Sequence, residues 1–391
     1  MAPDENRRMR EESYAQWMRR AASAVRALGF PILSLFDSAV PEPVELVRQT
    51  IAEGFGASVT SRYVSAFTNG NPFVIDWIAA RYGVPAAQVL CTTGATGALS
   101  LLYRALAQPG DHVLVETPGF DVFAEIGCSQ GLTVSDFPRS GERFALDPDA
   151  ITARLRPESR LIVLSNLHNP SGMAADTAAM EALARIAEAR RIWVIVDEVY
   201  GDYASLDARP MAAAQISPRF ISVSSLTKIY GLHTVRCGWI VGAPEAMAIV
   251  KPVGERLEFG VSNLAHAVAA LVLENAATFD AYSHAVLAAA RPVITHAHEQ
   301  WRREGLVEGV LPEFGCITFP RLVGIDDTLA FSDWLAARSG VIVAPGEHFE
   351  APGHVRIGFG QPVEKLETAI GQLTEGLRAY PRPQQARAAR R

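Results

Sequence analysis

The sequence predicts an α/β fold, with a mostly parallel sheet in a large domain and a second, smaller α/β domain. Six short apolar runs alternate with helical stretches between residues 89 and 225, as in strand–helix–strand units. The runs are continuous in Val, Ile and Leu, so their strands should be buried on both faces by covering helices. A chain of 391 residues is long enough for two domains.

The elements of the predicted large domain follow in chain order. Helices are expected at 44–54 and 73–82, the second ended by Gly83 and Pro85. Strands are then expected at VLCTT (89–93), HVLVE (112–116), LTVSDFP (132–138), RLIVLSN (160–166), WVIVDEV (193–199) and FISVSS (220–225). Helices should connect them, for example at 95–107 and 177–190.

The two ends of the chain predict further elements. Residues 1–30 have helical spacing of the apolar side chains Tyr14, Trp17, Met18, Ala21 and Val25. This arm packs on the body or on a partner subunit, or it is a simple capping helix; the pattern fits both. Residues 31–43 predict a short extended run and a Pro-rich loop.

The C-terminal third predicts the smaller domain. Helices are expected over 245–290 and at 281–298, and a closing helix at 362–377. Strands are expected at GCITFPRL (315–322), VIVAPG (341–346) and HVRIGFG (354–360). The predicted division is 1–45 for the arm and part of the small domain, 46–285 for the large domain, 286–380 for the C-terminal small domain and 381–391 for a disordered, Arg-rich tail.

Composition excludes several classes of function. A net charge of −6 gives no electrostatic basis for binding nucleic acid, and no stretch approaches the ~20 apolar residues of a membrane span. The four cysteines are widely spaced and lack metal-ligand patterns, so we expect free thiols and no metal site. No apolar run follows the first arginines, as a signal peptide would require. The sequence therefore predicts a soluble, cytoplasmic protein.

Lysine is rare in this chain, which draws attention to Lys228. Of 36 basic residues only Lys228, Lys251 and Lys365 are lysines. A partly buried lysine can lose its proton and form a Schiff base, whereas arginine stays protonated. Lys228 follows a predicted buried strand, with Ser225 three residues before it and Arg236 eight residues after it. The ordinary alternative is a solvated lysine in a loop.

Other chemically useful residues also follow predicted strands, where α/β sheets bind ligands. Gly94, Ala95 and Thr96 begin a helix, where free N–H groups favour phosphate, although such a start is often only a tight turn. The remaining strand ends carry an aromatic ring, an amide, a carboxylate and a phenol, at Phe120, Asn169, Asp197 and Tyr200. A carboxylate directly after a buried strand is costly unless a cation pairs with it. Taken together, these groups describe one ligand, pyridoxal 5′-phosphate.

The motifs resemble those of fold-type I pyridoxal-phosphate enzymes, and of class I/II aminotransferases in particular, over roughly residues 33–375. Ser225-x-x-Lys228 followed by Arg236-x-Gly238 is similar to the family's cofactor-lysine signature. His168-Asn169-Pro170-Ser171-Gly172 resembles its NP(T/S)G turn, and Asp197-x-x-Tyr200 matches its strand-end pair. The resemblance implies the aspartate aminotransferase-like fold of pyridoxal-phosphate-dependent transferases.

The resemblance also implies a role for each residue. Lys228 would hold the cofactor as a Schiff base and move the substrate proton, and Asp197 would pair with the ring nitrogen. Asn169 and Tyr200 would bind the ring oxygen, and Phe120 would stack on the ring. The phosphate would be bound by Gly94, Ala95, Thr96, Ser225 and Arg236, with Tyr63 reaching it across a dimer interface. Arg356 would bind the substrate α-carboxylate, which suits a planar fork.

Two segments depart from the family pattern. The N-terminal substrate loop usually carries a glycine, but residues 36–40 contain none, so Ser38 or Ala39 takes that place beside the substrate. At 255–263, dicarboxylate-specific members supply an arginine, whereas Glu258 falls near that position with Arg256 beside it. If Glu258 faces the pocket, an aspartate side chain is repelled and a neutral or basic one is accepted.

The resemblance leaves three functions to distinguish. The first is an aminotransferase that moves an amino group from an amino acid to a 2-oxo acid by a ping-pong mechanism, as a homodimer with sites at the interface. The second keeps the cofactor but is a lyase, decarboxylase or cyclase of a biosynthetic pathway. The third is a cofactor-binding regulatory domain, and the ~30 residues before the family region are too few for its usual DNA-binding module.

Overall fold

The computed structural model describes residues 11–56, 58–67, 69–204 and 208–382. Its helices are α1 (Tyr14–Ala27), α2 (Val44–Phe55), α3 (Pro72–Tyr82), α4 (Gly94–Leu106), α5 (Asp121–Ser129), α6 (Pro148–Thr152), α7 (Thr177–Arg190), α8 (Ala213–Ile216), α9 (Leu226–Ile229), α10 (Pro244–Leu257), α11 (Asn263–Glu274), α12 (Ala276–Arg303), α13 (Thr328–Ser339) and α14 (Val363–Ala379). Its strands are β1 (Leu33–Ser34), β2 (Val89–Thr93), β3 (His112–Thr117), β4 (Thr133–Pro138), β5 (Ser159–Ser165), β6 (Trp193–Asp197), β7 (Phe220–Ser225), β8 (Cys237–Gly242), β9 (Val307–Glu308), β10 (Ile317–Thr318), β11 (Arg321–Leu322), β12 (Val341–Ile342), β13 (Ala344–Pro345) and β14 (Val355–Gly358).

The large sheet has seven strands in the order β2-β8-β7-β6-β5-β3-β4. Strands β3 to β7 are parallel to one another, and β8 lies antiparallel between β2 and β7. The predicted α/β fold with a mostly parallel sheet is confirmed. All six predicted strands are present, within two residues at each end.

Both faces of this sheet are covered, which explains the continuous apolar runs. On β5, Leu161 and Val163 join one buried cluster with the helices α4 and α10. Ile162 and Leu164 point to the opposite face and join a second cluster with α7. Successive side chains alternate between the two faces, so a strand with apolar contacts on both sides has consecutive apolar residues, as at 161–164 of β5.

The smaller sheets lie in the N- and C-terminal parts of the chain. Strand β1 pairs with β12, and a three-stranded sheet has the order β10-β14-β13. The expected strand at 315–322 is broken into β10 and β11, because Pro320 has no N–H to continue a ladder. The expected strand at 341–346 also divides, because β12 pairs with β1 while β13 pairs with β14.

The N-terminal arm packs on the body of its own chain. Trp17, Ala21 and Val25 of α1 are buried in one cluster with Phe349 and other apolar side chains. Residues 1–10 of the predicted arm and residues 383–391 of the predicted tail lie outside the described residues. The predicted domain boundaries at 45, 285 and 380 stay predictions.

Two expectations from composition can be compared with the structure. All four cysteines are free, as expected. Among the described residues, no helix has both the length and the apolar character needed to cross a membrane.

Candidate active site

A cavity of about 230 Å³ opens at the carboxyl edge of the large sheet. It is lined by Tyr14, Ser38, Ala95, Thr96, Leu99, Phe120, Asn169, Asp197, Val199, Tyr200, Ser225, Thr227, Lys228, Arg236 and Arg356. The ends of β6 and β7, the starts of α4 and α5, and strand β14 all contribute. Most of the residues singled out in the sequence therefore converge on one site.

Lys228 provides the nucleophilic group of this cavity. The short helix α9, capped by the Ser225 hydroxyl, holds Lys228 just beyond β7. Its Nζ donates to Ser38 Oγ at 2.9 Å, and the Ser38 side chain also hydrogen-bonds the Tyr200 phenol. Burial, followed by the Arg356 guanidinium, lowers the pKa of the Lys228 amine to about 8. A substantial neutral fraction is therefore present near pH 8, which a Schiff base or a general base requires.

Asp197 ends β6 as a buried carboxylate without an ion pair among the described residues. It is 5% exposed and accepts one hydrogen bond, from the Val199 N–H at 3.1 Å. Burial raises its pKa to about 7. Such a carboxylate at a cavity wall fits a ligand that brings its own positive charge.

One part of the cavity lies between the start of α4 and Arg236. Gly94 has a φ of +75°, and a Cβ there would lie 2.5 Å from Arg236 Nη2, so only glycine lets the guanidinium lie over the helix start. Arg236 itself has a φ of +52° and donates to the Thr93 carbonyl at 3.3 Å. With the N–H groups of Ala95 and Thr96, this arrangement suits a phosphate.

Arg356 also lines the cavity, from strand β14. It is 2% exposed, and its Nη1 donates to Asn169 Oδ1 at 2.9 Å. No carboxylate of the described chain pairs with it, and its Nε has no hydrogen-bond partner. A buried guanidinium with an unused donor is a site for an anion, and its planar fork matches a carboxylate.

A buried network below the site positions Asn169. Glu116 accepts from Arg139 Nε and from the Ser165 hydroxyl, at 2.8 and 2.5 Å. Ser165 Oγ then accepts from the Asn169 N–H at 2.8 Å. The turn that carries Asn169 is thus tied to the middle of the sheet.

Several of the singled-out residues do not line this cavity. Tyr63, which the resemblance placed at a partner's phosphate rather than at its own chain's, is 46% exposed and lies outside it, as does Glu258 at the end of α10. Gly94 supports Arg236 without lining the cavity. Tyr14 lines it, although its sequence pattern indicated only an apolar position on a helix.

Comparison with known proteins identifies the family. A model of aminotransferase class I and II matches residues 37–373. The chain belongs to this family. The aminotransferase is 30% identical over 308 residues to capreomycidine synthase of Streptomyces vinaceus, covering 76% of each chain. It is 29% identical to arginine–pyruvate transaminase of Pseudomonas aeruginosa, covering 74% of this chain and 75% of the relative.

Solved structures show the same fold. A double mutant of Thermus thermophilus aspartate aminotransferase superposes with a TM-score of 0.82 at 22% identity, covering 94% of this chain and 97% of that one. An aminotransferase of Mycobacterium tuberculosis gives 0.81 at 25% identity, with 94% and 96% covered. The predicted aspartate aminotransferase-like fold is therefore confirmed.

The family is pyridoxal-phosphate-dependent, and this aminotransferase is an enzyme that uses that cofactor. The site fits it independently of the family. Among the described residues Asp197 has no ion pair, the Gly94–Arg236 contact leaves a cradle for phosphate, and the Lys228 amine lines the same cavity. The carboxylate suits the ring nitrogen of pyridoxal phosphate, the cradle suits its phosphate, and the amine suits its aldehyde.

Proposed function

We propose that the enzyme transfers an amino group from an amino acid to a 2-oxo acid by a ping-pong mechanism. The observation that carries this proposal is the buried Arg356 guanidinium, whose Nε is unpaired and which lines the same cavity as Lys228. Both proposed substrates carry a carboxylate beside the reacting carbon, and the fork is suited to hold it. Lys228 would then lie next to the substrate Cα.

The chain's own residues account for the proton chemistry. When bound, pyridoxal phosphate supplies an electron sink that makes the substrate Cα proton acidic. Asp197 would hold the positively charged ring nitrogen, and Asn169 and Tyr200 would donate to the ring oxygen. Lys228, with its pKa near 8, would remove the proton from Cα and return it during the transfer. Ser225 and Arg236 would bind the phosphate, and Phe120 would pack on the ring.

The test is a half-reaction followed through the absorbance of the bound cofactor. Amino acids are added one at a time to the holoenzyme near pH 8, and a 2-oxo acid is added afterwards. Transamination predicts a lasting change of the band that the 2-oxo acid reverses. A band that recovers unaided, with release of ammonia, carbon dioxide or a cyclic product, contradicts it. No cofactor band at all, even after adding pyridoxal phosphate, would refute the role of Lys228.

A lyase, decarboxylase or cyclase is the second candidate, and Ser38 is the observation that favours it. Its hydroxyl lies 2.9 Å from Lys228 Nζ, so a second proton-carrying group stands beside the amine. One relative is named a synthase rather than a transaminase. The variant Ser38→Gly distinguishes the two: it should leave transamination in place, whereas a reaction that uses the hydroxyl as acid or base should fall roughly 10²–10⁴-fold.

We also propose that the enzyme is a homodimer. Segments 59–67 and 257–264 lie side by side, linked by the hydrogen bond from the Ala66 N–H to Asn263 Oδ1 at 2.9 Å. Phe67 and Phe259 form an edge contact at 6.3 Å and remain 62% and 72% exposed. Exposed aromatic pairs of this kind are typical of interfaces. Tyr63 lies in the same surface, which supports its proposed reach to a partner's phosphate.

The same arrangement bears on the substrate side chain. Glu258 lies outside the cavity of its own chain, so the proposed preference for neutral or basic side chains requires it to reach the site of a partner. An arginine transaminase among the relatives supports this preference. Glu258→Gln should lower turnover of arginine and raise that of aspartate. Unchanged aspartate turnover would end the hypothesis.

A further inference from the structure

The N-terminal helix places a phenol inside the substrate end of the cavity. Tyr14, the first residue of α1, lines the cavity together with Arg356. Its hydroxyl accepts a hydrogen bond from Arg356 Nη2 at 2.7 Å and donates one to the Phe36 carbonyl at 3.1 Å. Nη2 also donates to that carbonyl at 2.9 Å. The guanidinium, the phenol and the carbonyl therefore form a closed triangle.

The position of Tyr14 is fixed from several directions. Its backbone N–H donates to the Asp121 carboxylate at 2.9 Å, which ties α1 to the start of α5. Its ring lies 5.6 Å from that of the buried Trp17 and 5.9 Å from that of Phe349. The Ser13 side chain caps the helix at this point. The phenol is therefore held against Arg356 by the fold of the arm.

A phenol cannot by itself neutralise a buried guanidinium. Burial raises the pKa of Tyr14 to about 12, even beside the Arg356 charge, so the group is neutral at physiological pH. The carbonyls of Asn169 and Phe36, the other two partners of Arg356, are neutral as well. The Arg356 guanidinium therefore has neutral hydrogen-bond partners but no ion pair among the described residues, and its Nε has no hydrogen-bond partner. An anion can therefore join this set without displacing it.

We propose that the Tyr14 hydroxyl is a second ligand of the substrate carboxylate, beside Arg356. The phenol keeps accepting from Nη2 and turns its proton from the Phe36 carbonyl to the incoming carboxylate. A 3.1 Å hydrogen bond to a neutral carbonyl is thereby exchanged for a charge-assisted one. The inference rests on the proposed function, in which Arg356 binds the α-carboxylate.

The experiment compares carboxylate binding to the wild-type and Tyr14→Phe holoenzymes. Propionate and propionamide are titrated separately, each as a competitor of the amino donor in the half-reaction. The substitution should raise the Kd of propionate about 10-fold or more, because a hydrogen bond to a charged group is lost. Propionamide binding and cofactor affinity should not change. With an amino acid, KM should rise while kcat is largely retained.

Tyr103→Phe is the matched control. It removes a buried phenol on the core-facing side of α4, which donates to the Phe123 carbonyl at 2.7 Å and lies outside the cavity. Its propionate Kd should equal that of the wild type. Phenylalanine at position 14 keeps the ring packing, and a generally damaged site would lose propionamide as well as propionate, so misfolding is recognised in the same sample.

The possible outcomes distinguish a failure of the proposed Tyr14 role from a failure of the proposed carboxylate site at Arg356. An unchanged propionate Kd in Tyr14→Phe would overturn the inference. A lower Kd would also overturn it, because the phenol would then compete with the carboxylate. If Arg356→Gln abolishes propionate binding while Tyr14→Phe does not affect it, only the role of Tyr14 fails. If Arg356→Gln leaves propionate binding intact, the proposed carboxylate site itself fails.

Discussion

Replacing Asp197 with Asn should stabilise the cofactor-free protein and remove the stabilisation that the cofactor provides. Burial raises the pKa of this carboxyl from 3.8 to about 7, with only the Val199 N–H as a hydrogen-bond donor. The difference is about 3 pKa units. At about 1.4 kcal/mol per unit, ionised Asp197 lowers the free energy of unfolding by on the order of 4 kcal/mol.

The sign follows from proton binding. Because the pKa of Asp197 is higher in the folded protein, the folded protein holds a proton between pH 3.8 and about 7 that the unfolded chain has released. The contribution of this group to the free energy of unfolding therefore falls as the pH rises through that window, and it stays low above it. A cation bound at the carboxylate, such as the ring nitrogen of the cofactor, favours the charged form and offsets the loss.

The assay is denaturant unfolding at pH 5 and pH 8, with and without cofactor. Glu198→Gln is the matched control, because Glu198 is also buried and its pKa is also raised to about 7, yet it lies outside the cavity. Both variants should flatten the pH dependence of the cofactor-free protein. Only Asp197→Asn should lose the cofactor's stabilisation. The reasoning is refuted if Asp197→Asn is no more stable than the wild type at pH 8 without cofactor, or if cofactor stabilises both equally.

Three further predictions concern the phosphate cradle and the dimer. Arg236→Gln should raise the Kd of pyridoxal phosphate about 10- to 100-fold in an absorbance titration, since a charged donor is lost; an unchanged Kd would remove Arg236 from the site. Gly94→Ala should lower both the melting temperature and cofactor affinity, because its Cβ would meet Arg236 Nη2 at 2.5 Å with φ at +75°; a wild-type melting curve would contradict this. Phe259→Asp should sediment as a monomer in analytical ultracentrifugation and should have reduced transaminase activity. A dimer of normal activity would place the interface elsewhere.

The large sheet could be predicted because burial on two faces leaves an unmistakable pattern. Strands β2 and β7 match their predicted ranges, and the cavity is lined by Ser225 at the end of β7 and by Ala95 and Thr96 in the helix that follows β2. The direction of β8 was not predicted, although its apolar run is evident. Only eleven residues separate β7 from β8. A parallel return usually needs a crossover of a dozen or more, so the short connection favours the antiparallel arrangement.

The role of Tyr14 could not be predicted, for a different reason. Helical spacing indicates which side chains of an arm are apolar, but not where the arm docks. The contact that matters joins Tyr14 to Arg356, which is 342 positions away. Tyr14 and Trp17 both fit the apolar helical pattern, but only the Tyr14 side chain lines the cavity.

The balance of charged side chains in the cavity indicates which ligands it favours. Its lining holds three cationic side chains, Lys228, Arg236 and Arg356, against one carboxylate, Asp197. In the proposed arrangement three of the four charges would be compensated: Arg236 would pair with the phosphate of the cofactor, Asp197 with its ring nitrogen, and the Lys228 amine would hold its aldehyde carbon. Arg356 alone stays uncompensated, with neutral partners. A buried charge of this kind gains most from a ligand that brings the opposite charge, so the loaded enzyme should discriminate amino acids from simple amines by that one remaining cation.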